Sequence, residues 1–209
     1  MTDRWTFGVE PLPQTVRAAA RLRRVTSLVL SLEHPDPHLD KLIDALDEAE
    51  RTLSPPADLS PRVGDRVDGR VYLDHSRHIG RFNPCVPEYE IVVDGDHAAG
   101  AVTFPVAYEG PPGIVHGGFL ALFFDAAIQH HNCDVGVAGK TTALAVRYRR
   151  PAPVRTELRF TLARSVQAAR ICSTARLSSG DVVLCEAQLD AVKGERARLP
   201  AVSPRRIRP

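Results

Sequence analysis

The chain has 209 residues, 44% hydrophobic and 25% charged, the proportions of a soluble globular protein, and its length holds one domain with an extension or two small ones. A net charge of +2 gives no reason to expect nucleic acid, and the basic stretches Arg21–Arg24 and Pro204–Pro209 are short enough to be solvated surface and tail. The start lacks the apolar core of a secretory signal, and no apolar run approaches the about 18 residues of a membrane span, so a cytoplasmic protein with no membrane partner is expected.

Residues 12–53 read as helical. Asp36-Pro37 supplies an N-cap and a favoured first helical residue. After it Leu39, Leu42, Ile43, Leu46, Ala49 and Leu53 recur at helical spacing, with Asp40, Asp44, Asp47 and Glu48 between them. That is an amphipathic helix with one face to bury. Thr15–Leu32 is less regular, and residues 54–61 have the composition of a linker.

Beyond residue 66 the period shortens. Arg70–Asp74 reads as a short strand. Glu88–Val93 and Ala98–Val106 read as strands around a turn at Asp94-Gly95-Asp96. A helix follows from His116 to His131. Then Thr142, Leu144, Val146 and Tyr148 alternate with Thr141, Ala143, Ala145 and Arg147, and Leu158, Phe160 and Leu162 with Arg159 and Thr161. Ile171–Leu177 and Val183–Ala191 flank a hairpin turn at Ser178–Asp181. Two strands, a helix and four strands imply an α+β fold, an antiparallel sheet with the helix against its face. The expected divisions are an N-terminal helical extension and linker over 1–60, the sheet domain over 61–195, and a basic tail over 196–209.

The helix and its lead-in carry the chemistry. Between His116 and His130 its one charged residue is Asp125, among Phe119, Leu120, Leu122, Phe123, Phe124, Ala127 and Ile128. A helix apolar on every face is wrapped by other structure, and a carboxylate there needs a partner or a wet cleft. Gly113, Gly117 and Gly118 surround the helix start, where free N–H groups suit a developing oxyanion; they equally permit a tight turn and close packing. Asp125 lies nine residues after His116, roughly 13 Å along the axis. One carbonyl therefore cannot meet both Asp125 and the Gly117 N–H within a single subunit, but it can across a two-fold interface. His116 can serve as base, loop anchor or substrate contact, and its place before Gly-Gly favours anchoring.

His130 and His131 point about 100° apart on a helix and read as C-terminal caps, not metal ligands. His75 and His78 have no third ligand nearby. Cys85, Cys133, Cys172 and Cys185 form no C-x-x-C pair, with Cys172 and Cys185 expected as buried thiols in strands. No P-loop, dinucleotide fingerprint, nucleophile elbow or zinc-protease motif is present.

His116-Gly117-Gly118, Asp125 nine residues after the His, the lead-in Glu109–Gly113 and the later Tyr148-Arg-Arg-Pro151 together resemble the hotdog-fold thioesterases, in particular the PaaI-like acyl-CoA branch, over residues 80–193. The resemblance implies a sheet wrapped round one helix, dimers or tetramers with active sites at the dimer interface, and hydrolysis of an acyl-CoA to acid and CoA. It further implies that the Gly117 N–H polarises the thioester carbonyl, that Asp125 of a second chain acts as general base or nucleophile, and that Thr141 assists it. Alternation places Thr141 on one strand face with Ala143 and Ala145. The site expected is thus Asp125, Gly117, Thr141 and His116 for catalysis, with Gly118, Gly113, Arg149 and Arg150 binding substrate. Arg147 is a weaker candidate beside them, and each arginine reads equally well as a solvated strand end. No metal or cofactor is called for beyond the CoA of the substrate.

Two departures stand out. Some relatives carry an Asn where this chain has Gly110. The helical extension lies outside the family's core, and it is expected to pack on the sheet or cap the interface. The rival readings are a non-catalytic acyl-CoA sensor, against which the pairing of Asp125 with Thr141 argues, and a hotdog dehydratase or hydratase, whose Asp/His arrangement is not seen.

Overall fold

The computed structural model describes residues 13–53, 79–133 and 140–193. The linker, the strand expected at Arg70–Asp74, His75, His78, the tail and the divisions near 60 and 195 lie outside those residues. Six antiparallel strands form the sheet: β1 (Tyr89–Asp94), β2 (His97–Thr103), β3 (Lys140–Tyr148), β4 (Glu157–Gln167), β5 (Arg170–Ser179) and β6 (Val182–Val192), in the spatial order β1-β2-β4-β5-β6-β3. Among the described residues four helices accompany them: α1 (Pro13–Leu30), α2 (Pro37–Thr52), the single turn α3 (Ile79–Phe82) and the central helix α4 (Gly117–Asn132). The fold is the expected hotdog: α4 carries the chain from β2 to β3 at the far edge of the sheet and packs against the sheet's inner face.

Strict alternation in β4 and β5 aims Leu158, Phe160, Leu162, Ile171, Ala175 and Leu177 inward. They meet Leu120, Phe123, Phe124, Ala127 and Ile128 of α4. Phe123 is fully buried, with Tyr89, Phe104 and Phe160 edge-on to its ring at 5.7, 5.5 and 5.2 Å. Burial of one such side chain stabilises by about 1.5–3 kcal/mol. α4 is not wrapped on every side, however. Gly118 is exposed, and Ala121, Leu122, Asp125 and Gln129 are only half-buried. At spacings of three and four residues these form one continuous stripe that the chain's own sheet leaves uncovered.

β2 stops at Thr103, short of the expected Val106. Pro105 has no N–H for a ladder, and the chain turns into a 3-10 helix at Val106–Tyr108. The N-terminal segment is two helices. Asp36 caps α2, its carboxylate accepting the His38 N–H at 2.9 Å, but no residue of α2 is buried, contrary to the expectation of one buried face. Its cap and a Glu48–Arg51 pair one turn apart support it locally instead.

α1 does not lie on the sheet face either. It rests at the sheet's end on α3 and the 3-10 turn. Buried Arg23 donates to the carbonyls of Gly80, Asn83 and Val86 and pairs with Glu88 at 3.0 Å. The Ser27 hydroxyl accepts the Ala107 N–H at 3.2 Å. Among the described residues no helix is long and apolar enough to cross a membrane.

Candidate active site

The helix start is held by the loop before it. Tyr108 is buried, its hydroxyl donates to the Pro84 carbonyl at 2.9 Å, and its ring stands edge-on to Phe119 at 4.9 Å. Its carbonyl accepts the His116 N–H at 2.9 Å. Between them the loop folds back so tightly that a Cβ on Gly110 would lie 3.0 Å from His116 Cα and Cβ. A side chain at position 110 would therefore crowd His116.

His116 is the N-cap of α4. Its Nδ1 accepts the Gly118 N–H at 3.0 Å, so that nitrogen carries no proton, and a neutral ring holds its hydrogen on Nε2. The His116 carbonyl accepts from Phe119 and Leu120, while the Gly117 N–H has no acceptor among the described residues. Gly117 opens into a groove of about 460 Å³ walled by Pro111, Ile114, Leu120, Tyr148, Arg149 and Arg150. The other two glycines, expected to bind substrate, have their N–H groups engaged within the chain. Gly118 has given its N–H to His116, and Gly113 is a turn residue whose N–H donates to Glu109 at 2.6 Å and whose carbonyl accepts from Val154.

Asp125 sits midway along the uncovered stripe. The Thr141 hydroxyl donates to its carboxylate at 3.0 Å, and the Gln129 side-chain amide donates to Thr141 Oγ1 at 2.6 Å. Gln129 was not singled out in the sequence, although its place one turn after Asp125 puts both on one helical face. Thr141 reaches Asp125 because β3 is irregular: its pairing with β6 slips between Thr141 and Ala143. Thr141 pairs with Ala191, and Leu144 with Leu189, both buried partners. The bulge thus puts Thr141 on the helix-facing side with Leu144 and Val146, not on the exposed side with Ala143 and Ala145 as plain alternation predicts.

The arginines separate. Arg149 is tied to Glu186 by bonds of 2.9 and 2.8 Å, and Arg176 approaches the same carboxylate at 3.4 Å. Arg149, chiefly, and Arg176 hold that carboxyl below its ordinary range. Arg150 lines the groove beside Gly117 and makes no ion pair among the described residues. Arg147 faces the outer side of the sheet, in a second groove of about 710 Å³ with Thr161, Thr174 and Arg176, away from Gly117.

At the far end of α4, His131 is buried with Nε2 3.1 Å from the Gly95 carbonyl. Arg164 donates to the carbonyls of His131 and Gly95 and pairs with Asp96. The cap of the last turn is therefore this arginine, which the sequence did not reveal. Cys133 and Cys185 are buried, while Cys172, expected inside, is exposed on the outward side of β5 beside Asp190. No three His, Cys, Asp or Glu among the described residues are placed to hold a metal ion.

No protein-family model and no curated protein matches the chain. Among solved structures, a thioesterase superfamily protein is 28% identical, with a TM-score of 0.70 over 89% of this chain and 94% of its own. Residues 79–193 are little more than half of this chain, so that alignment takes in part of the N-terminal helical segment as well. Thioesterase superfamily member 2 of Mus musculus is 13% identical, with a TM-score of 0.51 over 57% of this chain and 92% of its own, a likeness of fold. By its sheet, its central helix and the first of these similarities, the chain has the hotdog fold and resembles the thioesterase superfamily.

Proposed function

We propose that the protein hydrolyses an acyl-CoA thioester to a carboxylic acid and CoA, in the manner of the PaaI-like branch, and that it does so as a homodimer or a pair of dimers. The observation that carries this reading is a division of labour along α4. One end offers a free N–H at Gly117 beside an open groove, and a carboxylate held by Thr141 stands eight residues on, at Asp125, on the side of the helix left bare. About 12 Å of helix separates them, too far for one carbonyl. A second copy related by a two-fold axis brings its own Asp125 stripe to the first copy's groove and creates two equivalent sites.

In such a site Asp125 takes a proton from water as the water oxygen attacks the thioester carbon. The carbonyl oxygen, now an oxyanion, is met by the Gly117 N–H. Collapse breaks the carbon–sulfur bond, and the departing CoA sulfur recovers the proton from Asp125. Thr141 keeps the carboxylate turned toward the water. Arg150, in no ion pair among the described residues, is the better cation for the phosphates of CoA, and Arg149 is held back by Glu186.

The test is thiol release from short, medium, long and aryl acyl-CoAs by wild type and Asp125→Asn. Exposed Cys85 and Cys172 are alkylated beforehand so that they do not consume the thiol reagent. A fall of about 100-fold or more in the variant supports the reading. Equal rates in both, or binding of acyl-CoA with no release by either, would overturn it.

A further inference from the structure

Two adjacent glycines at a helix start are intrinsically loose backbone, and an N–H carried on them stabilises an oxyanion well only if it is held in place beforehand. Both peptides flanking Gly117 are held. The His116–Gly117 peptide has its carbonyl engaged by the N–H groups of Phe119 and Leu120, so the trans geometry turns the Gly117 N–H the other way, out of the helix. The Gly117–Gly118 peptide is gripped at both ends. Its N–H donates to His116 Nδ1 at 3.0 Å, and its carbonyl accepts the Tyr148 hydroxyl at 2.8 Å.

Tyr148 comes from a different element, the end of β3, and its ring lies over Gly117. A Cβ on residue 117 would sit 3.2 Å from both Cζ and the hydroxyl oxygen of that ring. The side chain is 53% exposed and forms part of the groove wall next to Arg149 and Arg150. So large an exposed ring is under no packing demand to end in a bond to a helix carbonyl.

We infer that Tyr148 is a positioning residue for thioester hydrolysis: its hydroxyl locks the Gly117–Gly118 peptide and so fixes the direction of the Gly117 N–H, and its ring lies where a side chain at 117 would crowd it. The inference rests on the thioesterase reading.

Tyr148→Phe keeps the ring and removes the hydroxyl; Tyr148→Leu removes both. Steady-state acyl-CoA hydrolysis is measured together with amide hydrogen exchange across residues 116–119 in the full chain without ligand. The Phe variant is expected to lose about ten-fold in kcat with KM within about two-fold, at an unchanged melting temperature, and to exchange faster across 116–119. The Leu variant is expected to show the same kcat loss with KM raised as well. Wild-type kcat in the Phe variant, or unchanged exchange in both variants, would overturn the assignment. Should the wild type hydrolyse no acyl-CoA, the functional reading falls, and exchange across 116–119 alone decides whether the clamp exists.

Discussion

The Asp125 carboxylate is oriented by a hydrogen-bond chain with a fixed direction. The Gln129 amide nitrogen can only donate, so Thr141 accepts from it and commits its own proton to Asp125. Thr141→Val, which keeps the shape and removes the hydroxyl, is expected to lower kcat about ten-fold with little change in KM; a rise in KM alone would instead make Thr141 a binding residue. Asp125 was legible in the sequence because it is the lone charge in an apolar helix. Gly117 stood out as a glycine at a helix start, where N–H groups are free, and through the family resemblance of the motif around it. What turns Thr141 toward Asp125 was not legible: a bulge leaves no mark in composition, and strict alternation gave the wrong face. Gln129 and Arg164 escaped for a related reason, since their importance depends on partners distant in sequence, Thr141 for one and Gly95 for the other.

At the scale of elements, the six strands of the sheet were readable from alternation and the central helix from its apolar run, whereas their ends were not. The turn between β4 and β5 is made by Gln167-Ala168-Ala169-Arg170, with Ala168 at a φ of 53° and no glycine or asparagine to announce it. The packing of α1 was equally hidden, because it depends on one buried arginine serving three carbonyls. Arg23→Met strands those acceptors away from water and is expected to cost about 3 kcal/mol, read as a lower urea midpoint. α1 also braces the 3-10 turn through Ser27, and that turn leads through Tyr108 to His116. The stability loss is therefore expected to bring faster exchange in the loop over 108–116.

For the whole molecule, the proposed two-fold site makes a quantitative prediction. Asp125→Asn and Gly117→Val chains, each inactive alone, should regain about a quarter of wild-type activity when unfolded together in equal amounts and refolded. Half of the dimers are then mixed, and each mixed dimer has one intact site of two. No recovery would place both groups within one chain's site.

Alkali should weaken the fold. Burial pushes the Tyr108 phenol up to about 12 and raises that of Tyr89 too, whereas an unfolded tyrosine ionises near pH 10. Their contribution is complete below about pH 10 and is lost as pH rises through about 12, so the melting temperature should fall across that window and fall less in Tyr108→Phe.

The slip in β3 also says which changes in chain length the protein can survive. Amino-acid exchange at Thr142 alters an exposed side chain whose hydroxyl donates to the Asp190 carbonyl. Removing that residue is a different kind of event. With Leu144 and Val146 anchored inward, one residue fewer between 141 and 144 takes out the bulge, and plain alternation then leaves the Thr141 hydroxyl on the helix-facing side. A single-residue deletion between 141 and 144 should thus leave a folded, active protein, whereas deleting both Thr142 and Ala143 turns Thr141 to the outer surface and should yield a folded, silent one. Within that stretch, ancestry is constrained by the number of residues more than by their identity.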